Sequence, residues 1–432
     1  MNQTTINQSF FKYVFQNILG MIGISVYILA DTFFISLAEG ADGIAALNLV
    51  LPIYSLIFAI GAMIGVGSAI RFNIASVRKE QTADRYFSNA ILFAILIGVI
   101  FILLGIFIPD KILALLGGDR NIIAVGKAYT RIFMMFTPFF MLNHIFNAFV
   151  RNDGSPSLAM AATLFSSLFN IVFDYILMFP LQLGMAGAAL ATAFSPIIGV
   201  LICSLHFLNK KNTIKFKWKI PSVGRLLHSC QLGISAFIGE MASGITTLVF
   251  NFIILNLTGN IGIAAYGIVA NIALVATSVF NGLSQGAQPL FSNFYGIGER
   301  TSIRKILKLS MVTGMILSIV AILVTQFFAE PIVQIFNSES STEMAEYATI
   351  GLKIYFLGYL FAGFNIVGTG YLSSTENAGW AFLISILRGI VAIIICAVIL
   401  SKLFDMTGIW LAFPVAECLT AIITMIAIVS TK

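Results

Sequence analysis

The chain has 432 residues, of which 59% are hydrophobic and only 10% are charged, whereas ordinary soluble domains are about 25% charged. A water-soluble fold could not bury so much apolar surface. The formal net charge of +6 does not indicate nucleic acid as a partner, because the basic residues are spread over loops between apolar runs. The composition therefore predicts a protein whose solvent is the lipid bilayer.

Twelve apolar runs follow one another, and each is long enough to cross a hydrocarbon core of about 30 Å as a helix rising about 1.5 Å per residue. Backbone groups in lipid must be satisfied within their own segment, which favours helices over strands. We therefore predict an all-α polytopic membrane protein with twelve transmembrane helices. Their predicted positions are 11–37, 47–72, 87–108, 122–150, 157–180, 184–208, 227–256, 262–294, 303–327, 345–372, 378–402 and 405–430.

The loops between these spans carry Lys and Arg unevenly. With the N-terminus inside, 17 of the 24 basic residues lie on the inner side and six on the outer side, a bias typical of cytoplasmic loops. We predict that both termini are cytoplasmic and interpret most loop charges as topogenic. The N-terminus lacks the pattern of a removable signal peptide, so insertion is expected to begin with the first span.

The two halves of the chain resemble each other at an offset of about 220 residues. Gly43-Ile-Ala-Ala-Leu47 matches Gly262-Ile-Ala-Ala-Tyr266, and Met185–Ala191 matches Met406–Ala412 in the same order. Six helices per half give parallel repeats, which usually enclose a substrate cavity. We predict an N-terminal lobe at 1–208, a basic cytoplasmic linker at 209–226 and a C-terminal lobe at 227–432, arranged around a central cavity.

Acidic residues inside the first-half spans are candidates for function, because a carboxylate in the bilayer is costly unless it faces a cavity or a partner. Asp31 lies in span one and Asp174 in span five, where Asn170 shares its helical face. Small residues such as Gly187 in span six allow close approach and bring Thr192 near. The four oxygen-bearing side chains would suit sodium, or protons if burial and mutual repulsion favour the protonated carboxyl groups. The alternative is a set of structural hydrogen bonds between helices.

The second half carries a different polar pattern. Glu240, Ser243, Thr247 and Asn251 recur at spacings of three to four on span seven and form one polar stripe. We interpret this stripe as lining a substrate cavity. Two amides on span eight are weaker candidates for the same cavity, namely Asn271 and Gln288.

Arg388 lies within span eleven, where a cation should pair with an acid. Glu417 on span twelve is the predicted partner, and we interpret the pair as structural or gating.

Catalytic chemistry has no visible motif in the chain. The three histidines, His144, His206 and His228, are scattered, and no nucleophile motif or phosphate-binding glycine loop occurs. We predict that the protein is not an enzyme and has no cofactor beyond a coupling ion. The 39 Phe and 15 Met residues would suit an adaptable cavity for aromatic cations, although packing against lipid explains most of them.

Four stretches together resemble the multidrug and toxic compound extrusion (MATE) family, over nearly the whole chain and most closely its bacterial multidrug exporters. They are Asp31-Thr-Phe-Phe-Ile35, Asn170-Ile-Val-Phe-Asp174, Gly187-Ala-Ala-Leu-Ala-Thr192 and Gly408-Ile-Trp-Leu-Ala-Phe-Pro-Val-Ala-Glu417.

The resemblance implies an antiporter of the bacterial inner membrane that exports cationic amphipathic drugs or dyes in exchange for sodium or protons. It also implies a cation-coupling site at Asp31, Asn170, Asp174 and Thr192. At the position of Glu240 some family members carry an acid and others an amide, so the resemblance leaves its role open.

Two other functions remain open. A lipid-linked oligosaccharide flippase of the same superfamily would need a cationic cavity, whereas the intramembrane charges here are mostly acidic. A receptor or scaffold that transports nothing would leave the polar faces of several spans unexplained. No feature of the sequence demands an oligomer, and we expect a monomer.

Overall fold

The computed structural model describes residues 3–210, 212–218, 220–336 and 341–431. Every regular element in these ranges is helical, as the composition predicts. The charged linker and terminal residues Lys211, Lys219 and Lys432, counted among the topogenic charges, lie outside the described residues.

The described chain contains thirteen α-helices. They are α1 Gln3–Val77, α2 Asp84–Phe107, α3 Pro109–Leu115, α4 Arg120–Met135, α5 Thr137–Asn152, α6 Pro156–Met178, α7 Gly184–Ser204, α8 Val223–Gly296, α9 Arg300–Phe336, α10 Thr342–Tyr355, α11 Tyr359–Ser374, α12 Ala378–Ile386 and α13 Ala392–Ser430.

Three of these helices are too long for one membrane crossing and bend in the middle. The bends lie at Gly40 in α1, at Gly259 in α8 and at Phe404 and Asp405 in α13. Nine helical segments of the described chain are apolar and long enough to span, or ten when α4 and α5, bent by 49°, form one span. Two of the ten contain a further bend, in α8 and in the segment Ala378–Ser430, so twelve crossings result.

The predicted span 122–150 is broken in the structure. Helix α4 ends at Met135 and α5 begins at Thr137, with Pro138 in its first turn. Proline has no backbone N–H and clashes with the preceding turn, which explains the bend between the two helices. The other predicted spans overlap the observed helical segments, and the largest boundary error is at 303–327, which ends nine residues before α9 does at Phe336.

The two halves repeat each other in backbone conformation. Gly40 has φ 60° and ψ −145°, and Gly259 has φ 65° and ψ −151°, so both bends use a conformation that glycine alone adopts readily. Positive φ also recurs about 220 residues apart at Gly184 and Asp405. This spacing agrees with the internal repeat that the sequence indicates.

Apolar cores follow the two halves, but the first helix of each half crosses over. Ile6 and Phe10 of α1 belong to a core cluster with Leu283 of α8 and Ile428 of α13. This cluster places the described residues near the start and near the end of the chain at one end of the molecule. We call it the inner end, in keeping with the predicted orientation, and the opposite end the outer end.

The outside of the helical bundle is apolar, as a lipid-facing surface must be. Exposed side chains on α2 and α9 include Leu103, Phe107, Leu323 and Phe327. All four cysteines are free thiols.

Candidate ion and substrate site

Two buried carboxyl groups meet in the first half of the molecule. Asp31 on the first arm of α1 and Asp174 on α6 lie close enough for their side chains to interact directly, and both side chains are buried. Close helix contacts bring them together, because the Gly23 side of α1 lies against Leu164 and Ser167 of α6. Two carboxylates this close repel each other unless a proton or a cation lies between them.

Asn170 and Thr192 complete the cluster. Thr192 on α7 is held against α6 by Gly187, where an added Cβ atom would lie 3.0 Å from the Leu177 carbonyl group. With its nitrogen toward Asp174, the Asn170 amide donates to Asp174 Oδ2 at 3.1 Å and accepts from the Thr192 hydroxyl at 3.2 Å. The structure thus brings together all four residues that the sequence groups as a cation-coupling site.

Within the described residues the cluster has no positively charged partner. Asp31 Oδ1 and Asp174 Oδ1 are buried without a hydrogen-bond partner, and none of the ion pairs formed by the described residues includes either carboxylate. The described residues also form no group of three or more His, Cys, Asp or Glu side chains that could hold a metal. A cation here would therefore be held by two carboxylates with the neutral oxygens of Asn170 and Thr192.

Three tyrosines that the sequence analysis missed surround the carboxyl pair. The Tyr129 hydroxyl is a hydrogen-bond partner of Thr192 and lies within electrostatic reach of both aspartates. The hydroxyls of Tyr27 and Tyr54 are 3.1 Å apart, and the Tyr54 ring stacks on Phe58 with centroids 4.1 Å apart. Tyrosines among many aromatic residues give no signal until the fold places their hydroxyls together.

The polar stripe of α8 faces an accessible space. Glu240 and Ser243 are exposed, and Glu240 lies near enough to Tyr27 of the other half to interact electrostatically with it. Thr247 donates to the Ser243 carbonyl at 3.0 Å. Asn251, at the end of the stripe, is half-buried.

The two amide candidates on the second arm of α8 are separated. Asn271 is exposed, whereas Gln288 is buried near the inner end, next to Pro289. The structure does not bring Gln288 together with the stripe. The Gln288 backbone carbonyl accepts from the Ser292 hydroxyl at 3.0 Å, whereas its side-chain Oε1 has no hydrogen-bond partner among the described residues.

Arg388 and Glu417 meet in the second half of the molecule. Arg388 Nη2 lies 2.7 Å from Glu417 Oε1, and Arg388 belongs to a π-helical turn, Leu387–Val391. Asn365 donates to Glu417 Oε2 at 2.7 Å and accepts from Thr424 at 2.7 Å. Asn365 and Thr424 were not predicted, since buried polar residues of this kind are common in membrane helices. Because its charge is balanced, Glu417 differs from the aspartates of the first half.

At the inner end the two halves are joined by polar contacts. Arg71 of α1 pairs with Glu376, which follows α11. Arg151 on α5 donates to Asn17 Oδ1 at 3.0 Å and to Gln285 Oε1 at 3.1 Å. Two arginines counted as topogenic therefore also hold the halves together.

Further contacts between α1 and α8 pack the two halves closely at the inner end. Asn73 of α1 donates to the Pro289 carbonyl at 3.0 Å and to Ser292 Oγ at 2.8 Å. Gly67 of α1 lies against the Ser229 backbone of α8 so closely that a Cβ atom would not fit. The halves are thus in contact at the inner end, while Glu240, Ser243 and Asn271 remain exposed between the middle and the outer end.

The MatE family model matches residues 17–176 and 236–398, which is most of the chain. The chain belongs to the MatE family. Multidrug export protein MepA of Staphylococcus saprophyticus is 28% identical over 407 residues, covering 93% of this chain and 89% of the relative.

Solved structures share the MATE fold over nearly the full length. An outward-facing multidrug resistance MATE transporter of the MOP superfamily superposes with a TM-score of 0.89 at 18% identity, covering 98% of this chain and 94% of the other. A MOP superfamily transporter from Pyrococcus furiosus, described as having a binding pocket of reverse polarity, gives a TM-score of 0.88 at 19% identity with the same coverage. At these identities the likeness establishes the fold: twelve membrane helices in two lobes.

Proposed function

We propose that this protein is a multidrug efflux antiporter that exports cationic amphipathic compounds in exchange for sodium ions or protons. The observation that carries the proposal is the buried pair Asp31 and Asp174, which has two unpartnered oxygens and forms no ion pair with a basic residue in the described part of the chain. A buried charge without a partner is costly, so the pair needs a mobile cation. The resemblance to MepA supports drug export as the process that this cation drives.

A cationic substrate fits the accessible space between the halves. Glu240 supplies an exposed carboxyl group. Tyr27 lies near enough to interact with it electrostatically, and the Tyr54 hydroxyl is 3.1 Å from the Tyr27 hydroxyl. Cations are attracted both to carboxylates and to aromatic ring faces. We propose that the drug binds between Glu240 and these two tyrosines, while the aspartate cluster binds the coupling ion.

Exchange follows if the two ligands favour different conformations. A cation that binds Asp31 and Asp174 removes their mutual repulsion and stabilises the arrangement of α1, α6 and α7 seen here, with the inner end closed. A drug that enters from the inner side requires the halves to part at that end. Each ligand then weakens the binding of the other by the same factor, since coupling between sites is reciprocal.

The flippase alternative has less support from the charges. A pyrophosphate-linked substrate needs a cationic cavity, whereas Glu240 is the exposed charged residue of the polar stripe, and Arg388 is already paired with Glu417. A transporter of similar fold with reversed pocket polarity shows that the sign of the pocket charge is a useful criterion. The acidic residues here favour a cationic substrate over a lipid pyrophosphate.

Ethidium efflux from bacteria that lack their own drug pumps tests the proposal. We expect the wild-type protein to lower ethidium accumulation and Asp174→Asn to abolish the effect, because an amide cannot balance a bound cation. Asp405→Asn is the matched control, since Asp405 is exposed at the α13 bend, away from the cluster.

A sodium jump at constant pH and a pH jump without sodium, each applied to membrane vesicles, would identify the coupling ion. Efflux by Asp174→Asn equal to wild type, with unchanged ion dependence, would exclude the aspartate pair as the coupling site. A well-inserted wild type that exports no cationic dye would favour the flippase or the receptor.

A further inference from the structure

A basic cavity of about 180 Å³ lies at the inner end, apart from the aspartate cluster. It is formed where α2 begins and where the linker enters α8. Arg85 of α2, Lys217 of the linker and Arg225 of α8 contribute its charges, and none of its described lining residues is acidic. Its volume is many times the roughly 10–15 Å³ that a single water needs by this type of measurement.

Hydrogen bonds hold the linker in place as one wall of the cavity. The Lys217 backbone N–H donates to Ser88 Oγ at 2.8 Å. The Ser222 backbone N–H donates to Asn89 Oδ1 at 2.7 Å, and the Asn89 amide donates to the Ser222 carbonyl at 3.2 Å. Because Ser88 and Asn89 are both buried, these hydrogen bonds fix the linker against α2. The basic side chains that line the cavity are therefore held around one space.

The cavity has an excess of positive charge. Lys217 is balanced by Asp84, whose Oδ2 lies 2.6 Å from the Lys217 Nζ. Arg85 and Arg225 take part in no ion pair with the described residues, and the Arg225 guanidinium lies 5.9 Å from the centroid of the Tyr86 ring. Two half-buried guanidinium groups thus lie without an anionic partner.

The N-terminus of helix α8 lies at the cavity, because its N-cap residue Ser222 and its first-turn residue Arg225 both line the cavity. Ser222 is the N-cap residue and accepts from the Arg225 backbone N–H at 3.4 Å. Helix N-termini favour anions. Guanidinium groups bind phosphate oxygens through paired hydrogen bonds.

Exposed apolar residues flank the cations on the linker. Trp218 is 81% exposed, Ile220 is 93% exposed and Val223 is 60% exposed. Tryptophan is enriched at the level of lipid headgroups, and side chains this apolar favour contact with acyl chains. From these residues we expect the cavity to lie at the level of the lipid phosphates.

We propose that this cavity binds a phosphate group, the chemistry that anionic lipid headgroups share with free phosphate compounds. Arg85 and Arg225 bind the phosphate oxygens, and the Ser222 region of the α8 N-terminus faces them. The bound group links α2 of the first half to the start of α8 in the second half. It stabilises the linker against α2 whether or not the protein transports drugs.

Thermal unfolding of the full-length protein in detergent tests this site. Phosphatidylglycerol, phosphatidylcholine and inorganic phosphate are titrated separately, with chloride at equal ionic strength as the reference for phosphate. We expect phosphatidylglycerol or phosphate to raise the unfolding temperature. Phosphatidylcholine should not, because its choline group balances the charge of its phosphate. In Arg85→Gln/Arg225→Gln the half-saturating concentration should rise about tenfold or more, because each basic residue contributes to the attraction.

The matched control is Lys12→Gln/Lys215→Gln, which removes two exposed inner-end charges outside the cavity. It should change the half-saturating concentration by less than about twofold, since surface charges interact weakly. If the double arginine variant fails to fold, Arg225→Gln alone and native mass spectrometry of retained lipid replace it. A response to phosphatidylglycerol alone identifies a lipid site, and a response to phosphate identifies a soluble ligand. Equal responses to all additives, or equal losses in the control and cavity variants, would overturn the proposal.

Discussion

Arg71, near the inner end of the second arm of α1, forms an ion pair with Glu376, the residue two positions after α11. The pair joins the two halves of the molecule at the end where they are in closest contact. Both side chains are about one-fifth exposed, so solvent screens the attraction only in part. The pair must break whenever the halves part at this end.

Removing one member of this pair should make the inner end open more often. Glu376→Gln removes an attraction of about 1 kcal/mol, so the open population should rise roughly fivefold. A cysteine placed at Ser292, which is fully buried here, reports opening through its rate of thiol labelling in a background without the native cysteines.

The charge-reversed double variant Arg71→Glu/Glu376→Arg should restore slow labelling. Lys127→Gln is the control, because it breaks the Lys127–Asp110 ion pair outside the inner end. Equal labelling rates in all variants would mean that the Arg71–Glu376 pair does not hold the inner end closed.

Cation binding at the aspartate pair should raise the unfolding temperature of the protein. A ligand that binds only the folded state raises the unfolding temperature with concentration, so sodium or acidification should stabilise the wild-type protein. Asp174→Asn should lose that dependence, yet be at least as stable without the cation because one of two repelling carboxylates is gone. Asp405→Asn should behave like wild type in the same thermal titration. An unchanged ion response in Asp174→Asn would place the stabilising site elsewhere.

The Arg388–Glu417 pair should behave in the opposite way, because its charges balance each other. Arg388→Met leaves the Glu417 carboxylate buried and uncompensated, with an expected loss of about 3–5 kcal/mol. Glu417→Gln keeps the contact with Asn365, and combined with Arg388→Met it should recover much of that loss. A double-mutant cycle based on unfolding measures the coupling. Additive single effects would show that the two residues do not stabilise each other.

Replacing the glycine at either bend should lower the free energy of unfolding by a similar amount. An alanine at Gly40 or at Gly259 meets no atom within 4 Å but must adopt positive φ, so each substitution should cost about 1–3 kcal/mol from backbone strain alone. Gly224→Ala is the control, since its surroundings are also open but its conformation is helical. Thermal unfolding compares the three variants. A loss in Gly224→Ala as large as in the others would contradict the role of φ.

The sequence predicts those parts of the fold that depend on the lengths of the apolar runs and on the positions of the polar or glycine-containing breaks between them. The twelve membrane crossings follow from the run lengths and the breaks. The offset between the Gly43 and Gly262 stretches agrees with the offset between the bends at Gly40 and Gly259. The predicted span 122–150 hid a break because Pro138 lies within a continuous apolar run, and hydropathy alone does not detect a bend.

The candidate site was predictable where a charge in an apolar segment is itself a signal. Asp31, Asp174, Arg388 and Glu417 belong to this class, and the structure places them in two contacting pairs. Tyr129 does not, because only tertiary packing shows that its hydroxyl reaches Thr192. The cation-coupling role of the first pair stays a prediction until ion dependence is measured.

The exchange of first helices between the halves has a consequence for biosynthesis. Phe10 leaves the ribosome well before its packing partners Leu283 and Ile428, which are far along the chain. The N-terminal six helices can insert as they emerge, but their inner end remains incomplete until the last helix arrives. Contacts of such long sequence separation slow folding, and surface that waits for its partner is prone to misassembly. Truncation late in translation should therefore leave the start of the chain exposed to quality-control proteases.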